Sequence, residues 1–247
     1  MSVFSLKNKT ILITGASSGI GKAMAIACAQ AGATLIISGR NKERLEHTFT
    51  MLEGSNHLAF ATDLSTTQGV KLLVDFVPKI DGFVSNAGIV EPLLLQFIET
   101  SDIEKTLHIN AISVIELTRL LLQEKKIKKG ASLVFTSSIN GNKCAYIGSS
   151  LYAASKAMLT GFMKAIALEL APKGIRANTI EPGMIETELL KNSDISLEDL
   201  ENDKQNYPLK RYGKPEEVAY AAIFLLSDAS SWTTGTNMLL DGGYTLH

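Results

Sequence analysis

A chain of 247 residues, 45% of them hydrophobic and 20% charged, can bury one sizeable core, and residues 1–247 read as a single domain without linker, repeat or low-complexity tract. A formal net charge of −1 leaves no basic footprint for a nucleic acid, and no apolar run approaches the roughly 18 residues that cross a bilayer. The two cysteines make neither a disulfide framework nor a metal centre, and the opening MSVFSLKNKT lacks the apolar stretch of a secretion signal, so a cytoplasmic protein is expected.

The first predicted strand, Thr10–Thr14, runs into a glycine-rich turn, a helix pattern and a second strand at Thr34–Ser38, so this stretch reads as a βαβ unit. Gly15, Gly19 and Gly21 leave the turn without Cβ atoms where a pyrophosphate must approach backbone N–H groups, and the helix start beyond adds a favourable dipole. The G-x-x-x-G-x-G spacing suits a dinucleotide while departing from the common G-x-G-x-x-G pattern. Further strands are predicted at His57–Thr62, Gly82–Ser85, Ser132–Ser137, Arg176–Glu181 and Asn237–Leu240, with helix patterns between most neighbours, the long ones over 102–122 and 152–171. This alternation predicts an α/β, Rossmann-type, doubly wound parallel sheet covered by helices on both faces, with ligands gathering outside the carboxyl ends of the strands. Cys28 falls among the alanines of the first helix and reads as core, whereas Cys144 falls in a loop near the presumed site.

Tyr152 and Lys156 open the last long helix pattern, and an i, i+4 spacing puts them on one face. An ammonium beside a phenol favours its anion and brings a group that titrates near pH ~10 closer to working pH, which makes the pair an acid–base device. The same spacing also occurs on ordinary amphipathic helices, so the pair gains meaning only beside the glycine-rich turn.

A different chemistry shares the same letters. Gly15-Ala16-Ser17-Ser18-Gly19 satisfies G-x-S-x-G, the nucleophile elbow of α/β-hydrolases, with Ser17 as nucleophile. That reading needs an acid and then a histidine beyond later strand ends. Of the four histidines, His47 falls in a charged helix pattern, His57 leads into a strand, His108 lies within a long helix and His247 is terminal. It also leaves Gly21, Tyr152 and Lys156 without a role.

TGASSGIG at 14–21, NAG at 86–88, Asn110, Ser138, Tyr152-x-x-x-Lys156 and the PG of 182–183 occur in the order seen in the short-chain dehydrogenase/reductases, which this sequence resembles over almost its whole length. The C-terminal RYGKPEEVAYAAIFLLSDASSWTTGTNMLLDGGY is similar to members such as the 3-oxoacyl-(acyl-carrier-protein) reductases. The resemblance implies a seven-stranded sheet of order 3-2-1-4-5-6-7 and an oxidoreductase moving a hydride between nicotinamide and a carbonyl or secondary alcohol. It assigns cofactor binding to Gly15, Ser17, Ser18, Gly19, Ile20 and Gly21. Asp63 and Leu64 would hold the adenine, Asn86, Ala87 and Gly88 would flank the adenosine ribose, and Pro182, Gly183, Ile185 and Thr187 would bind the nicotinamide carboxamide. Read without the family, Asp63 is an ordinary helix-capping or turn residue and Asn86-Ala87-Gly88 an ordinary strand-ending turn.

The second strand ends in Gly39-Arg40. An acid there would bond a ribose and repel a 2′-phosphate, whereas an arginine would pair with that phosphate; with the resemblance, Arg40 implies NADP(H) over NAD(H). For catalysis the resemblance implies that Tyr152 protonates a carbonyl oxygen and Ser138 hydrogen-bonds it. Lys156 would lower the phenol's pKa and hold the nicotinamide ribose, and Asn110 would disrupt its helix locally and hold a relay water. Ser138 stands fourteen residues before Tyr152, one more than is usual in the family, and Ser137 is adjacent; strand alternation lets only one of the two face the substrate.

The stretch 184–212 has no evident core pattern, includes acidic SDISLEDLEND and lies where members of the family cover their substrate, so the resemblance implies a mobile substrate lid. Lys125, Lys126, Lys128, Lys129 and Lys173 supply basic residues, two of which (Lys129 and Lys173) align with arginines of carrier-protein reductases. A 3-oxoacyl thioester, with an acyl carrier protein as partner, is therefore the first substrate expectation. A free ketone, sugar or other small alcohol is the second, and a non-catalytic NADP-binding regulator is the reading from another class. The apolar long helices and the C-terminal segment resemble the surfaces of a family homotetramer, and no metal, nucleic acid or membrane partner is expected.

Overall fold

The computed structural model describes residues 2–191 and 196–246. Its parallel strands are β1 (Thr10–Thr14), β2 (Thr34–Gly39), β3 (Leu58–Ala61), β4 (Ile80–Ser85), β5 (Ile127–Thr136), β6 (Arg176–Pro182) and β7 (Asn237–Leu240). They form one seven-stranded sheet in the order β3-β2-β1-β4-β5-β6-β7, as the resemblance implies. Relative to the sequence reading, β4 and β5 begin earlier, around an irregularity in their register between Ile80 and Gly82. The edge strand β3 is shorter and largely exposed, so less apolar patterning defines it.

Alternating side chains feed two cores, as a strand period of two requires. Ile11, Ile13, Leu35 and Ile37 face α1 (Gly19–Gln30) and, near the C-terminus, the helix Pro215–Leu226. Leu12, Ile36, Phe83, Leu133 and Phe135 face the other layer. That second layer contains α3 (Thr67–Phe76), which follows α2 (Lys42–Thr50), and then α4 (Thr100–Leu107), α5 (Ser113–Gln123) and α6 (Ser150–Leu170). Cys28 is wholly buried in the first core.

The single helix expected over 102–122 is two helices, α4 and α5, joined by a π turn at His108–Ile112. The expected lid, 184–212, carries α7 (Glu188–Lys191) and α8 (Leu197–Lys204), while 192–195 of it lie outside the described residues. Ser196 starts α8 by accepting from the Asp199 N–H at 3.0 Å, and Glu198 and Asp199 in its first turn suit the helix dipole. The helix Pro215–Leu226, α9, closes the fold against α1. Among the described residues no helix is long and apolar enough to cross a membrane.

Candidate active site

The chain leaves β1 to β6 at their carboxyl ends into one cleft of about 530 Å³. Of the residues the sequence singles out, Gly15, Ser17, Ser18, Gly19, Ile20, Arg40, Asp63, Leu64, Asn86, Ala87, Gly88, Ser138, Tyr152, Lys156, Pro182, Gly183, Ile185 and Thr187 line it. Gly21 and Asn110 lie just behind its wall and act through what they touch.

The glycine turn is a cradle that side chains would fill. Gly15 has φ +67, and a Cβ there would stand 2.8 Å from Ala87 Cα. A Cβ on Gly21 would stand 2.2 Å from the Gly15 carbonyl oxygen. Thr14 Oγ1 accepts from the Asn86 and Ala87 N–H groups at 3.2 and 3.3 Å, and Asn86 Nδ2 donates to Gly15 O at 3.4 Å, so the ends of β1 and β4 are tied together. Helix α1 starts at Gly19 with no side-chain cap and no acidic residue in its first turn, leaving its first N–H groups free for an anion. These features fit a dinucleotide's pyrophosphate. Across the cleft Thr187 reaches over Gly19, its Cγ2 3.3 Å from where a Cβ would be.

At the far end stand Arg40 and Arg44. Arg44 was missed by the sequence reading, although it follows Arg40 by one helical turn's spacing. Asp63 accepts from the Ser65 N–H at 2.9 Å, an Asx turn rather than a helix cap, since Thr66 caps α3 by accepting from Gly69 N at 3.0 Å. That backbone bond is the leading reason its carboxyl lies below the usual range, with Arg40 adding to it. Thr136 also lines the cleft, and its Oγ1 is buried without a hydrogen-bond partner.

The other end holds the acid–base groups. Lys156 Nζ lies 5.6 Å from the centre of the Tyr152 ring and donates to Thr136 O at 2.9 Å. Burial lowers the Lys156 pKa to about 8. Burial also pushes the Tyr152 phenol up, opposed by the Ser138 hydroxyl. Burial thus works against the lowering expected from Lys156, and a phenol raised above its ordinary value carries its proton at neutral pH. Ser137 turns the other way, its Oγ donating to Lys156 O at 2.9 Å, so the two serines are divided as strand alternation requires.

Asn110 is fully buried in the π turn. Its Oδ1 accepts from Ile89 N at 2.8 Å, and its Nδ2 donates to Ile89 O at 2.9 Å and Ser155 Oγ at 3.1 Å. The side chain that an unpaired burial would make costly is therefore fully engaged, fixing the loop after Gly88.

No histidine lines the cleft among the described residues. His57 is occupied by Leu35 N at 3.0 Å and the Glu53 carbonyl at 2.9 Å, so among the described residues Ser17 meets no histidine base, and His247 lies outside them. The lysines fare differently from the catalytic groups. Lys126 donates to Val77 O at 2.7 Å and Lys128 pairs with Asp81 at 2.8 Å, at the start of β5. Ile127 pairs with Ile80 at the amino end of the six-residue β4, which puts them roughly 20 Å from the cleft within one subunit.

The sequence model of the enoyl-(acyl carrier protein) reductase family matches residues 15–245. A 3-oxoacyl-(acyl-carrier-protein) reductase of Thermotoga maritima is 36% identical, covering 98% of this chain and 99% of its own. A 7alpha-hydroxysteroid dehydrogenase of Escherichia coli is 34% identical, covering 96% and 94%. A solved 7 alpha-hydroxysteroid dehydrogenase complexed with NADH and 7-oxo glycochenodeoxycholic acid matches with a TM-score of 0.90 at 33% identity, covering 97% of this chain and 95% of that one.

Proposed function

This chain belongs to the short-chain dehydrogenase/reductase family, oxidoreductases of alcohol and carbonyl groups, and on that premise we propose that it is an NADP(H)-dependent reductase whose substrate is a 3-oxoacyl thioester. One observation carries the reaction type: a half-buried Tyr152 beside Lys156, lining with Ser138 a glycine-walled cleft.

When bound, the nicotinamide supplies a hydride to the carbonyl carbon, or takes one up in the reverse direction. Tyr152 donates its phenolic proton to the carbonyl oxygen, and Ser138 hydrogen-bonds the same oxygen as charge develops on it. Lys156, held by Thr136 O, faces the ribose and supports the phenolate that the proton transfer leaves behind. Asn110 keeps the Gly88–Ile89 segment against that lysine, a Cβ on Gly88 lying 3.1 Å from Asn110 Oδ1 and 3.5 Å from Lys156 Nζ. Asp63 and Leu64 take the adenine, Asn86, Ala87 and Gly88 the adjoining ribose, and Pro182, Gly183, Ile185 and Thr187 the carboxamide. Arg40 and Arg44 pair with a 2′-phosphate, the basis for preferring NADP(H). The protein acts in the cytoplasm as a homotetramer, with 184–212 as the substrate lid.

The thioester reading rests on the carrier-protein reductases among the relatives. The position of Lys126 and Lys128 away from the cleft in one subunit favours, as a second reading, a free ketone such as the hydroxysteroid dehydrogenase's name indicates. NADPH and NADH oxidation with an acetoacetyl thioester, on the carrier protein and on a small mimic, beside a panel of free ketones, separates them. Preference for the carrier-bound substrate supports the first; efficient turnover of a free ketone without carrier preference replaces it with the second.

A further inference from the structure

Glu181, the residue of β6 before Pro182, has no exposed surface. An isolated carboxylate in that place costs several kcal/mol, so its partners matter. Asn142 Nδ2 donates to Glu181 Oε1 at 2.9 Å, and the same amide lies 2.7 Å from Thr160 Oγ1 and 3.3 Å from Ser137 Oγ. Ser137 in turn donates to the carbonyl of Lys156. The carboxylate thus reaches the chain on both sides of the acid–base groups: the segment that carries Ser138 and the helix turn that carries Lys156.

The backbone around it tightens the link. Ser137 N donates to Ile180 O at 2.8 Å and Ile139 N to Pro182 O at 3.2 Å, so Ser138 is held by the residues that flank Glu181. Asn142 sits in a loop pressed on the first turns of α6: a Cβ on Gly141 would stand 2.3 Å from Ala153 O, beside Tyr152. We propose that Glu181 and Asn142 form a buried brace that positions Ser138 against Tyr152 and Lys156. Neither touches the reacting atoms; both are positioning residues. The inference rests on the oxidoreductase reading for its kinetic consequences and on the geometry alone for its effect on Tyr152.

Glu181 Oε1 accepts from Asn142 while Oε2 is buried without a hydrogen-bond partner, so Asn142 is the side chain that holds this carboxyl to the 139–144 loop. Burial raises the Glu181 carboxyl, opposed in turn by Lys143, Asn142, Lys164 and Thr160. Without an acceptor at 181, the amide keeps only its two hydroxyl neighbours and nothing ties the 139–144 loop to β6 through a side chain. Ser138 then loses its fixed distance to the phenol.

The test compares Glu181→Ala, Glu181→Gln, Asn142→Ala and the Glu181→Ala/Asn142→Ala double variant of the full chain. Turnover, the Michaelis constant for NADPH and thermal melting are measured, with the ¹³Cζ resonance of Tyr152, assigned with Tyr152→Phe, as a probe of the Ser138 hydrogen bond. We expect each alanine variant to lose about tenfold or more in turnover with the cofactor constant little changed, and the double variant to be no worse than the poorer single, as coupled positions behave. Glu181→Gln, which keeps an acceptor, restores turnover and leaves the resonance in place, while Glu181→Ala moves it. Folded alanine variants with wild-type turnover and an unmoved resonance, or losses that simply add, overturn the brace. If Glu181→Ala does not fold, Asn142→Ala decides in the same way. If the wild type turns over no carbonyl at all, the oxidoreductase reading fails and the resonance alone judges the brace.

Discussion

Lys156 Nζ lies 5.6 Å from the centre of the Tyr152 ring and bonds the Thr136 carbonyl, so the two groups are neighbours without a direct hydrogen bond between them. Lys156 bears a burial penalty instead, its pKa lowered to about 8. The folded state therefore binds this proton less tightly than the unfolded chain does. The penalty is fully present below about pH 8 and fades as pH rises toward the ordinary lysine value near ~10.4, above which the amine is neutral in both states. Lys156→Met should be more stable than the wild type at pH 7, by at most about 3 kcal/mol, with the gain shrinking between about pH 8 and 10. Thermal melts across that range check it; a pH-independent difference contradicts the assignment.

The adjacent serines should separate cleanly. Ser138→Ala removes the hydroxyl proposed to hydrogen-bond the carbonyl oxygen, and should cost about 100- to 1000-fold in turnover. Ser137→Ala removes a bond to a helix carbonyl and should cost about tenfold at most. Steady-state kinetics of the two variants decide, and the reverse order would exchange their roles.

The proposed preference for NADP(H) rests on the arginines at the far end of the cleft. Arg40→Asp should raise the Michaelis constant for NADPH by roughly 10- to 100-fold, the loss of a charged hydrogen bond, and that for NADH far less. Arg44→Ala should act in the same direction more weakly. Equal effects on both cofactors would remove the 2′-phosphate from the account.

Gly21 should tolerate no side chain. A methyl group there would press on the Gly15 carbonyl, so Gly21→Ala should weaken NADPH binding at least about tenfold and lower the melting temperature, the turn having to open to admit it. Fluorescence titration with NADPH measures it; wild-type affinity would mean that the turn does not cradle the pyrophosphate.

The sheet was legible because buried parallel strands leave unmistakable apolar runs, as in Thr10–Thr14 and Thr34–Gly39, between helix-period segments. What escaped depends on contacts distant in sequence. The π turn at Asn110 was legible only through the family resemblance, which implies a local disruption there; it exists beside an amide occupied by Ile89, twenty-one residues away, and no local pattern signals it. Glu181 looks like an exposed strand residue until Asn142 folds over it. Helix α8 was readable after all: Ser196 with Asp199 three residues on is a capping signal, overlooked because the helix has no apolar face. Arg44 likewise lay one turn beyond Arg40, and of the lysine run Lys126 and Lys128 are engaged by Val77 and Asp81 while Lys125, Lys129 and Lys173 stay exposed.

The central claim is that Tyr152 is the proton donor in a cofactor-binding cleft. Comparing the wild type with Tyr152→Phe for NADPH affinity and for NADPH-dependent reduction of acetoacetyl thioester and the ketone panel tests it most directly. The account predicts unchanged affinity and a fall in turnover of about 100- to 10,000-fold, the range of general acid catalysis. NADPH binding by both proteins with no turnover of any carbonyl by the wild type, or equal turnover by the two, would contradict it, and the first of these would point to a regulator that binds the cofactor without using it.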